Sequence, residues 1–127
     1  GKFDENIFLY FEETEYCYRA KNKGYYSYQI NVSKVRTKGR SVDYENENDK
    51  NFSNIFIWHF IWSKFYFYKK KYGKILSIII FLPLLMRILF KIMLYKIITN
   101  EEMLIKYKTR FDGLMHSIKG NKSSLRP

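Results

Sequence analysis

The sequence predicts an α/β fold over residues 1–51, followed by an α-helical, membrane-associating tail over residues 52–127. The first part joins a helix-like stretch to a stretch whose apolar residues alternate with the period of two typical of a strand. The second part is rich in aromatic and apolar residues at helical spacing. The formal charge divides at nearly the same place, because residues 1–49 carry a net charge of −1 and residues 50–127 one of +12.

The first predicted element is a helix over about residues 12–22. Its first turn is acidic, and the partial positive charge at a helix N-terminus favours acidic side chains there. Glu15 and Arg19 lie four residues apart, so they can pair on one helix face. Gly24 suits the left-handed conformation that commonly follows a helix end.

The second predicted element is an outer strand of a mixed sheet. Its aromatic and β-branched residues alternate with Ser, Gln and Asn, as expected for a half-buried strand. The alternating apolar positions are Tyr26, Tyr28, Ile30 and Val32. Residues 36–54 lack an apolar period and are rich in Asn, Asp, Glu and Lys, so we expect a long loop that joins the two parts.

The tail opens with a predicted aromatic helix over residues 52–72, which ends in Lys69–Lys71 before Gly73. Lysines complement the negative end of a helix, and glycine suits the position after it. Its aromatic residues could form a packed core or an aromatic belt at a membrane surface. The adjacent lysines favour the belt. These aromatic residues are Trp58, Trp62, Phe65, Tyr66, Phe67 and Tyr68.

The next predicted helix, over residues 74–98, is the most apolar segment of the chain. Its uncharged run, residues 75–86, has twelve residues, whereas a membrane-spanning helix needs about 20. Arg87 and Lys91 then follow one turn apart. An interfacial or re-entrant helix kinked at Pro83 is therefore favoured over a spanning helix.

A last helix is predicted after Thr99, because Glu102 three residues later completes a capping-box pattern. We expect this helix to fold back on the aromatic helix. Its apolar positions keep helical spacing and are Leu104, Tyr107, Phe111, Leu114 and Ile118.

The chain has one cysteine, Cys17, so it can form no intrachain disulfide, and we expect a reducing compartment. Cys17 is expected to be a small buried helix residue rather than a nucleophile. His59 and His116 have no second ligand at metal spacing and are expected to be structural or surface residues. The basic charge of the tail would suit nucleic acid or an anionic membrane. The continuous apolar context favours the membrane surface over nucleic acid.

The N-terminal segment also carries many residues at fixed offsets, namely Phe3, Asp4, Glu5, Phe8, Tyr10, Glu12, Glu13, Glu15, Cys17, Arg19, Gly24 and Tyr25. With this pattern the chain resembles the second half of the catalytic domain of family 2 glycosyltransferases. These GT-A (Rossmann-like) enzymes build bacterial surface polysaccharides, and the rhamnosyltransferase-like members are the most similar. Residues 62–74 and 111–120 look like tail segments of the same enzymes. Since Gly1 enters the pattern without a preceding strand or helix, we expect a fragment that lacks the nucleotide-binding half and is inactive alone.

The resemblance implies roles for four residues. Glu13 stands where the family has its catalytic base, which removes a proton from the acceptor hydroxyl during inverting sugar transfer. Glu12 and Glu15 would bind or orient the acceptor, and Arg19 would hold this cluster in place. Spacing alone also allows a plainer interpretation, in which these acids only stabilise the start of a solvated helix.

The resemblance also bears on the nucleotide-sugar donor. Ser41 follows Gly39 in a Gly-x-Ser element that the family keeps, and Lys38 and Arg40 beside it are candidates to neutralise the donor phosphates. A flexible basic loop is the alternative. The histidine that many relatives carry here falls on Arg36 or Thr37, so no metal ligand is expected from this chain. A divalent metal, Mg or Mn, would be held by the missing half.

The sequence therefore predicts part of a glycosyltransferase that transfers a sugar, for which rhamnose is one candidate. The donor would be a nucleotide sugar, and the acceptor a lipid-linked saccharide or a growing polysaccharide. Its tail would hold it at the cytoplasmic face of the inner membrane. The rival hypothesis is a non-enzymatic protein that binds the membrane surface.

Overall fold

A computed structural model describes residues 2–28, 30–32, 34 and 47–125, with side chains in the last range from residue 52 onward. This part of the chain contains four helices. The helices are α1 (Glu12–Asn22), α2 (Glu47–Tyr72), α3 (Lys74–Ile97) and α4 (Glu101–Lys119). Helices α2, α3 and α4 pack on one another, and α1 with the segment before it lies against α2.

The predicted α/β fold is wrong, because the described part of the chain is helical and contains no strand. The residues expected in the outer strand are irregular or in a turn, and their side chains are between 66% and 89% exposed. A strand is stable only when a neighbour satisfies its backbone hydrogen bonds. An alternating pattern identifies residues that suit a strand, but a strand also needs a neighbouring strand with which to pair. The described residues provide no such neighbour.

The core lies between α2, α3 and α4. Its buried centre is formed by Ile61, Phe65, Phe81, Ile88 and Leu114. Phe65 of α2 meets Phe81 of α3 edge to face at 5.1 Å between ring centroids. On α4, four of the five predicted apolar positions belong to this core or pack on it, so the prediction that the last helix folds back on the aromatic helix is confirmed.

Four of the six aromatic residues predicted for the membrane belt are buried, so that prediction is wrong. Trp58, Trp62, Phe65 and Phe67 are buried. The indole nitrogens of Trp58 and Trp62 donate to the Asp112 carboxylate and to the Asn121 carbonyl, at 2.7 and 3.2 Å. In sequence, an aromatic stretch beside lysines has the same pattern whether it forms a membrane belt or a protein core. The packing of α4 and of the N-terminal segment on α2 is what buries it.

The start of α2 also differs from the prediction. The helix begins at Glu47, so residues 47–54 are helical and not part of a loop. Acidic residues stabilise the first turn of a helix without producing any apolar period. Its end is confirmed, because α2 stops at Tyr72 and Gly73 follows with φ 81°.

Helix α3 runs without interruption through Pro83, which is exposed. The cap of α4 differs by one residue from the prediction. Asn100 is the N-cap, and its side-chain oxygen accepts a hydrogen bond from the Met103 amide at 3.1 Å. Thr99 instead takes a left-handed conformation in the turn, with φ 57°. Cys17, expected to be buried, is exposed on α1.

Candidate functional site

Helix α1 is held to α2 by a cluster of four charged residues, Asp4, Glu15, Arg19 and Lys70. The Lys70 ammonium lies 2.8 Å from an Asp4 carboxylate oxygen and also bonds Glu15. The Arg19 Nε donates to both Glu15 oxygens at 2.8 and 2.9 Å, which confirms the predicted pair. Glu15 is 1% exposed. Its buried charge is thus met by two cations, as a carboxylate removed from water requires.

Asp4 extends the cluster to the N-terminal segment. Its carboxylate accepts hydrogen bonds from the Tyr66 hydroxyl at 3.0 Å and from the backbone and side chain of Asn6 at 3.0 and 2.9 Å. Partial burial would raise the pKa of Asp4, but the hydrogen bonds from Lys70, Asn6 and Tyr66 outweigh it and hold the pKa well below its usual value. Asp4 therefore stays ionised at neutral pH.

The charges of the cluster also shift the pKa values of Lys70 and Tyr66. Partial burial would lower the pKa of Lys70, but its hydrogen bonds with Asp4 and Glu15 and their negative charges raise it above its usual value. Burial and the Asp4 carboxylate raise the pKa of Tyr66. Lys70 is a cation and Tyr66 a neutral donor at neutral pH, so their interactions with Asp4 persist there.

The chain enters α1 through two left-handed residues, Tyr10 and Phe11, with φ 64° and 66°. Such conformations are uncommon for bulky residues and need support from packing. Phe11 supplies it, since its ring packs on Phe60 and Phe67 of α2 at 5.7 and 5.9 Å between centroids. The first turn of α1, with Glu12 and Glu13, is therefore positioned by aromatic contacts with α2.

The three predicted carboxylates lie in three different environments. Glu13 is exposed on the first turn of α1 and makes no hydrogen bond or ion pair with another described residue. Glu12 is half-buried, and one of its carboxylate oxygens is buried without a described hydrogen-bond partner. Glu15 belongs to the charged cluster. The predicted donor-phosphate residues Lys38, Arg40 and Ser41 lie outside the described residues.

Sequence reasoning missed Lys70 and Tyr66 as members of this site. They lie 66 and 62 residues from Asp4 along the chain, and no local pattern relates residues so far apart. The pattern at the N-terminus included Asp4 but gave it no role. The one local signal for a role of Asp4 was Asn6 two residues later, whose backbone N–H donates to the Asp4 carboxylate.

A groove of about 510 Å³ opens between α2, α3 and α4 beside the entry to α1. Its lining includes Tyr10 from the N-terminal segment, an apolar wall and three cations, Lys64, Lys106 and Arg110. An apolar cavity with a few convergent polar groups is the usual form of a ligand site.

Helix α3 has a continuous apolar face that does not contact the rest of the described protein. It is long and apolar enough to cross a membrane. Only 17% of its most apolar 18-residue stretch is buried, whereas the core helix of a soluble protein is mostly buried. The exposed residues of this face are Ile75, Ile79, Leu82, Met86, Phe90, Met93 and Ile97. From Ile75 to Ile97 these residues span about 33 Å of helix. Arg87 lies beside this face and is exposed.

Metal binding finds no support among these groups, since no three His, Cys, Asp or Glu side chains in the described residues lie together as a metal site would require. Compared with protein-family models, curated proteins and solved structures, the chain matches none.

Proposed function

We propose that the chain is the acceptor-side, membrane-associated part of an inverting glycosyltransferase. It would act on a nucleotide-sugar donor and a lipid-linked or polysaccharide acceptor. The observation that carries this proposal is the separation of the acidic residues on α1. Glu15 is occupied in fixing α1 to α2, whereas Glu13, two residues earlier and on another side of the helix, is exposed. The pattern from Phe3 to Tyr25, which resembles family 2 glycosyltransferases, supports the same function.

In the proposed reaction Glu13 is the general base. Its carboxylate takes the proton of the acceptor hydroxyl as the hydroxyl oxygen forms a bond to the anomeric carbon of the sugar. The bond from that carbon to the diphosphate oxygen breaks on the opposite face, and its electron pair leaves with the nucleoside diphosphate. The configuration of the anomeric carbon is therefore inverted.

The neighbouring residues act on the position of Glu13. Glu12, half-buried beside Glu13 on the first turn of α1, would bind or orient the acceptor. Glu15 and Arg19 are positioning residues, because they determine how α1 lies on α2.

Replacing Glu13 tests the enzymatic proposal. In the enzyme expressed from its complete reading frame, Glu13→Gln keeps the size of the side chain and removes the base. We expect kcat to fall by about 10²–10⁴-fold, the usual contribution of general base catalysis. Glu101→Gln, on the exposed first turn of α4, is the matched control and should leave kcat unchanged. Equal activity of both variants and the parent enzyme would contradict the role of Glu13.

The tail is proposed to dock on an anionic membrane surface through the apolar face of α3. Exposed apolar surface of this length marks a membrane or partner interaction site, and basic residues add attraction to anionic lipid. The cytoplasmic face of the bacterial inner membrane provides such a surface, together with nucleotide sugars and lipid-linked acceptors.

A flat orientation of α3 on the membrane fits better than a spanning one. Helix α4 packs along α3 and exposes charged residues from Glu101 to Lys119. If α3 crossed the bilayer in this arrangement, the charges of α4 would enter the hydrocarbon, at a cost of about 2.5–3.5 kcal/mol for each central Lys or Asp. Lying in the interface, α3 can bury its outer face while α4 stays in water.

Vesicle binding tests this orientation. The Met86→Glu change places a charge in the centre of the apolar face, so we expect its affinity for phosphatidylglycerol vesicles to fall by about tenfold or more. Val32→Glu, at an exposed apolar residue outside α3, is the control and should bind like the parent. Parent binding should weaken with salt and on phosphatidylcholine. Unaltered binding of Met86→Glu would exclude the α3 face as the docking surface.

A non-enzymatic membrane-surface protein is the second candidate, and the exposed face of α3 favours it as well. The two assays separate the candidates. Vesicle binding that depends on Met86, with no sugar transfer in the complete protein, would support the non-enzymatic function.

A further inference from the structure

The groove between α2, α3 and α4 combines two kinds of lining. Ile57 and Phe60 of α2 and Leu84 and Ile88 of α3 form apolar walls. Lys64 of α2 and Lys106 and Arg110 of α4 contribute the charge, and Lys106 and Arg110 lie one turn apart on the same helix. The volume of about 510 Å³ lies within the range of small-molecule sites.

The three cations of the groove are half-buried, and none is in an ion pair with any residue that the structure describes. The carboxylate of Asp112, the acidic residue nearest to Arg110 along α4, binds Trp58 and His116 instead. The Arg110 guanidinium stacks on the Tyr107 ring at 5.1 Å, which restricts its motion. Three converging cations that have no ion-pair partner among the described residues favour a ligand with more than one negative charge, and Arg matches the oxygens of a phosphate.

The apolar walls of the groove indicate which class of molecule bears the phosphate. Most of the neutral lining is aliphatic or phenyl and suits a hydrocarbon chain, whereas only Tyr10 and Ser53 add hydroxyl groups to it. Leu84 and Ile88 belong to α3, whose opposite face is the proposed membrane contact. Tyr10 lines the groove two residues before Glu12, which brings the groove close to the start of α1.

We propose that this groove binds a lipid phosphate, with its phosphate or diphosphate at Lys64, Lys106 and Arg110 and its hydrocarbon chain along the apolar walls. That this lipid is the carrier of the acceptor saccharide rests on the function proposed above. Binding of the lipid itself does not depend on sugar transfer.

Direct binding to the whole chain tests the proposal, with farnesyl phosphate as the probe below its aggregation concentration. Isothermal titration calorimetry should give an affinity at least about tenfold higher for farnesyl phosphate than for farnesol, which lacks the charge, or for uridine diphosphate, which lacks the chain. Equal affinity for farnesol would overturn the phosphate site. Equal affinity for uridine diphosphate would overturn the lipid chain site.

Charge-removing variants locate the site. Lys106→Gln and Arg110→Gln should each weaken farnesyl phosphate binding by about tenfold, the usual effect of losing a charge-assisted hydrogen bond. Lys108→Gln removes the same charge from an exposed position on α4 outside the groove and should bind like the parent. Equal losses in all three variants would show a general charge effect and contradict the proposal. Lys64→Gln on α2 repeats the test if a variant of α4 fails to fold.

Glu13→Gln separates the two proposals. It should bind farnesyl phosphate like the parent, because Glu13 does not line the groove. If Glu13→Gln keeps sugar transfer while Arg110→Gln loses lipid binding, the catalytic proposal fails and the lipid site stands. If Glu13→Gln loses transfer while farnesyl phosphate binds to no variant or parent, the lipid site fails and the catalytic proposal stands.

Discussion

Glu15 shows at the scale of a single residue how position changes the meaning of a carboxylate. Its sequence neighbours Glu12 and Glu13 are chemically the same, yet Glu15 is buried between Arg19 and Lys70. Replacing a buried ionic group by apolar residues is often neutral for stability, whereas removal of one partner is costly. The cluster therefore determines where α1 sits on α2 more than it stabilises the fold.

Gly113 marks the closest approach of α4 to α2. A Cβ atom at this residue would lie 2.8 Å from both the Trp58 carbonyl oxygen and the Ile61 side chain. Alanine normally stabilises a helix interior by about 1 kcal/mol relative to glycine. Here we expect Gly113→Ala to destabilise the protein by about 1–3 kcal/mol, because α4 must move away from α2 backbone. Urea unfolding followed by circular dichroism measures the change.

Lys108→Ala is the control for Gly113→Ala, since Lys108 is exposed on the same helix and should change the free energy of unfolding little. A stabilised Gly113→Ala variant would mean that the two helices can separate without cost.

The helices illustrate, at the next scale, what an apolar pattern does and does not specify. Helix α3 is apolar around most of its circumference, apart from Arg87, Lys91 and the lysines near its ends, and only its side with Ser77, Phe81 and Ile88 is buried. A helix that is hydrophobic all round is normally buried in a core or in a membrane. The outer side of α3 has no described partner. We therefore propose that this side contacts a membrane.

The connection between α3 and α4 provides a prediction for an element boundary. Asn100→Ala removes the side-chain acceptor of the Met103 amide and should cost about 0.5–2 kcal/mol in the free energy of unfolding. Thr99→Gly should instead be neutral or stabilising, because Thr99 has φ 57°, which glycine adopts more readily. Thermal unfolding of the two variants beside the parent compares these changes. A larger loss for Thr99→Gly than for Asn100→Ala would restore the capping box that the sequence predicts.

At the scale of the whole molecule, charge ties the acidic N-terminal segment to the basic helices. Asp4 and Glu15 come from the first part of the chain and Lys70 from α2, so the ion pairs cross the boundary between the two parts. The remaining positive charge of the tail is left for an anionic partner, which both proposals use.

The stability of the protein should depend on pH through this cluster. The folded pKa of Asp4 is depressed below 3.8, so its contribution is present above pH 3.8 and is lost as the pH falls through the folded pKa. The folded pKa of Lys70 is raised above 10.5, so its contribution is present below pH 10.5 and is lost as the pH rises through the folded pKa. We expect a level unfolding temperature between about pH 5 and 9, with a decline on both sides.

Two variants test which residue causes the decline in unfolding temperature on each side of this pH profile. Unfolding is followed by circular dichroism. Asp4→Asn should make the decline on the acid side shallower, and Lys70→Gln should do the same on the alkaline side. Limbs of unchanged slope in both variants would show that other groups control the pH dependence.

Local chemistry alone determined several features of the protein. The bounds of α1, the Glu15–Arg19 pair, the end of α2 before Gly73 and the core positions of α4 follow from helix dipoles, glycine conformation and helical spacing. These effects act within a few residues, so a sequence pattern contains them in full. The all-helical fold, the burial of the α2 aromatic residues and the separate environments of Glu12, Glu13 and Glu15 were decided by the tertiary structure. Each depends on a partner distant in sequence, such as Lys70 for Glu15 or α4 for Trp58, because burial and strand pairing are properties of two surfaces in contact.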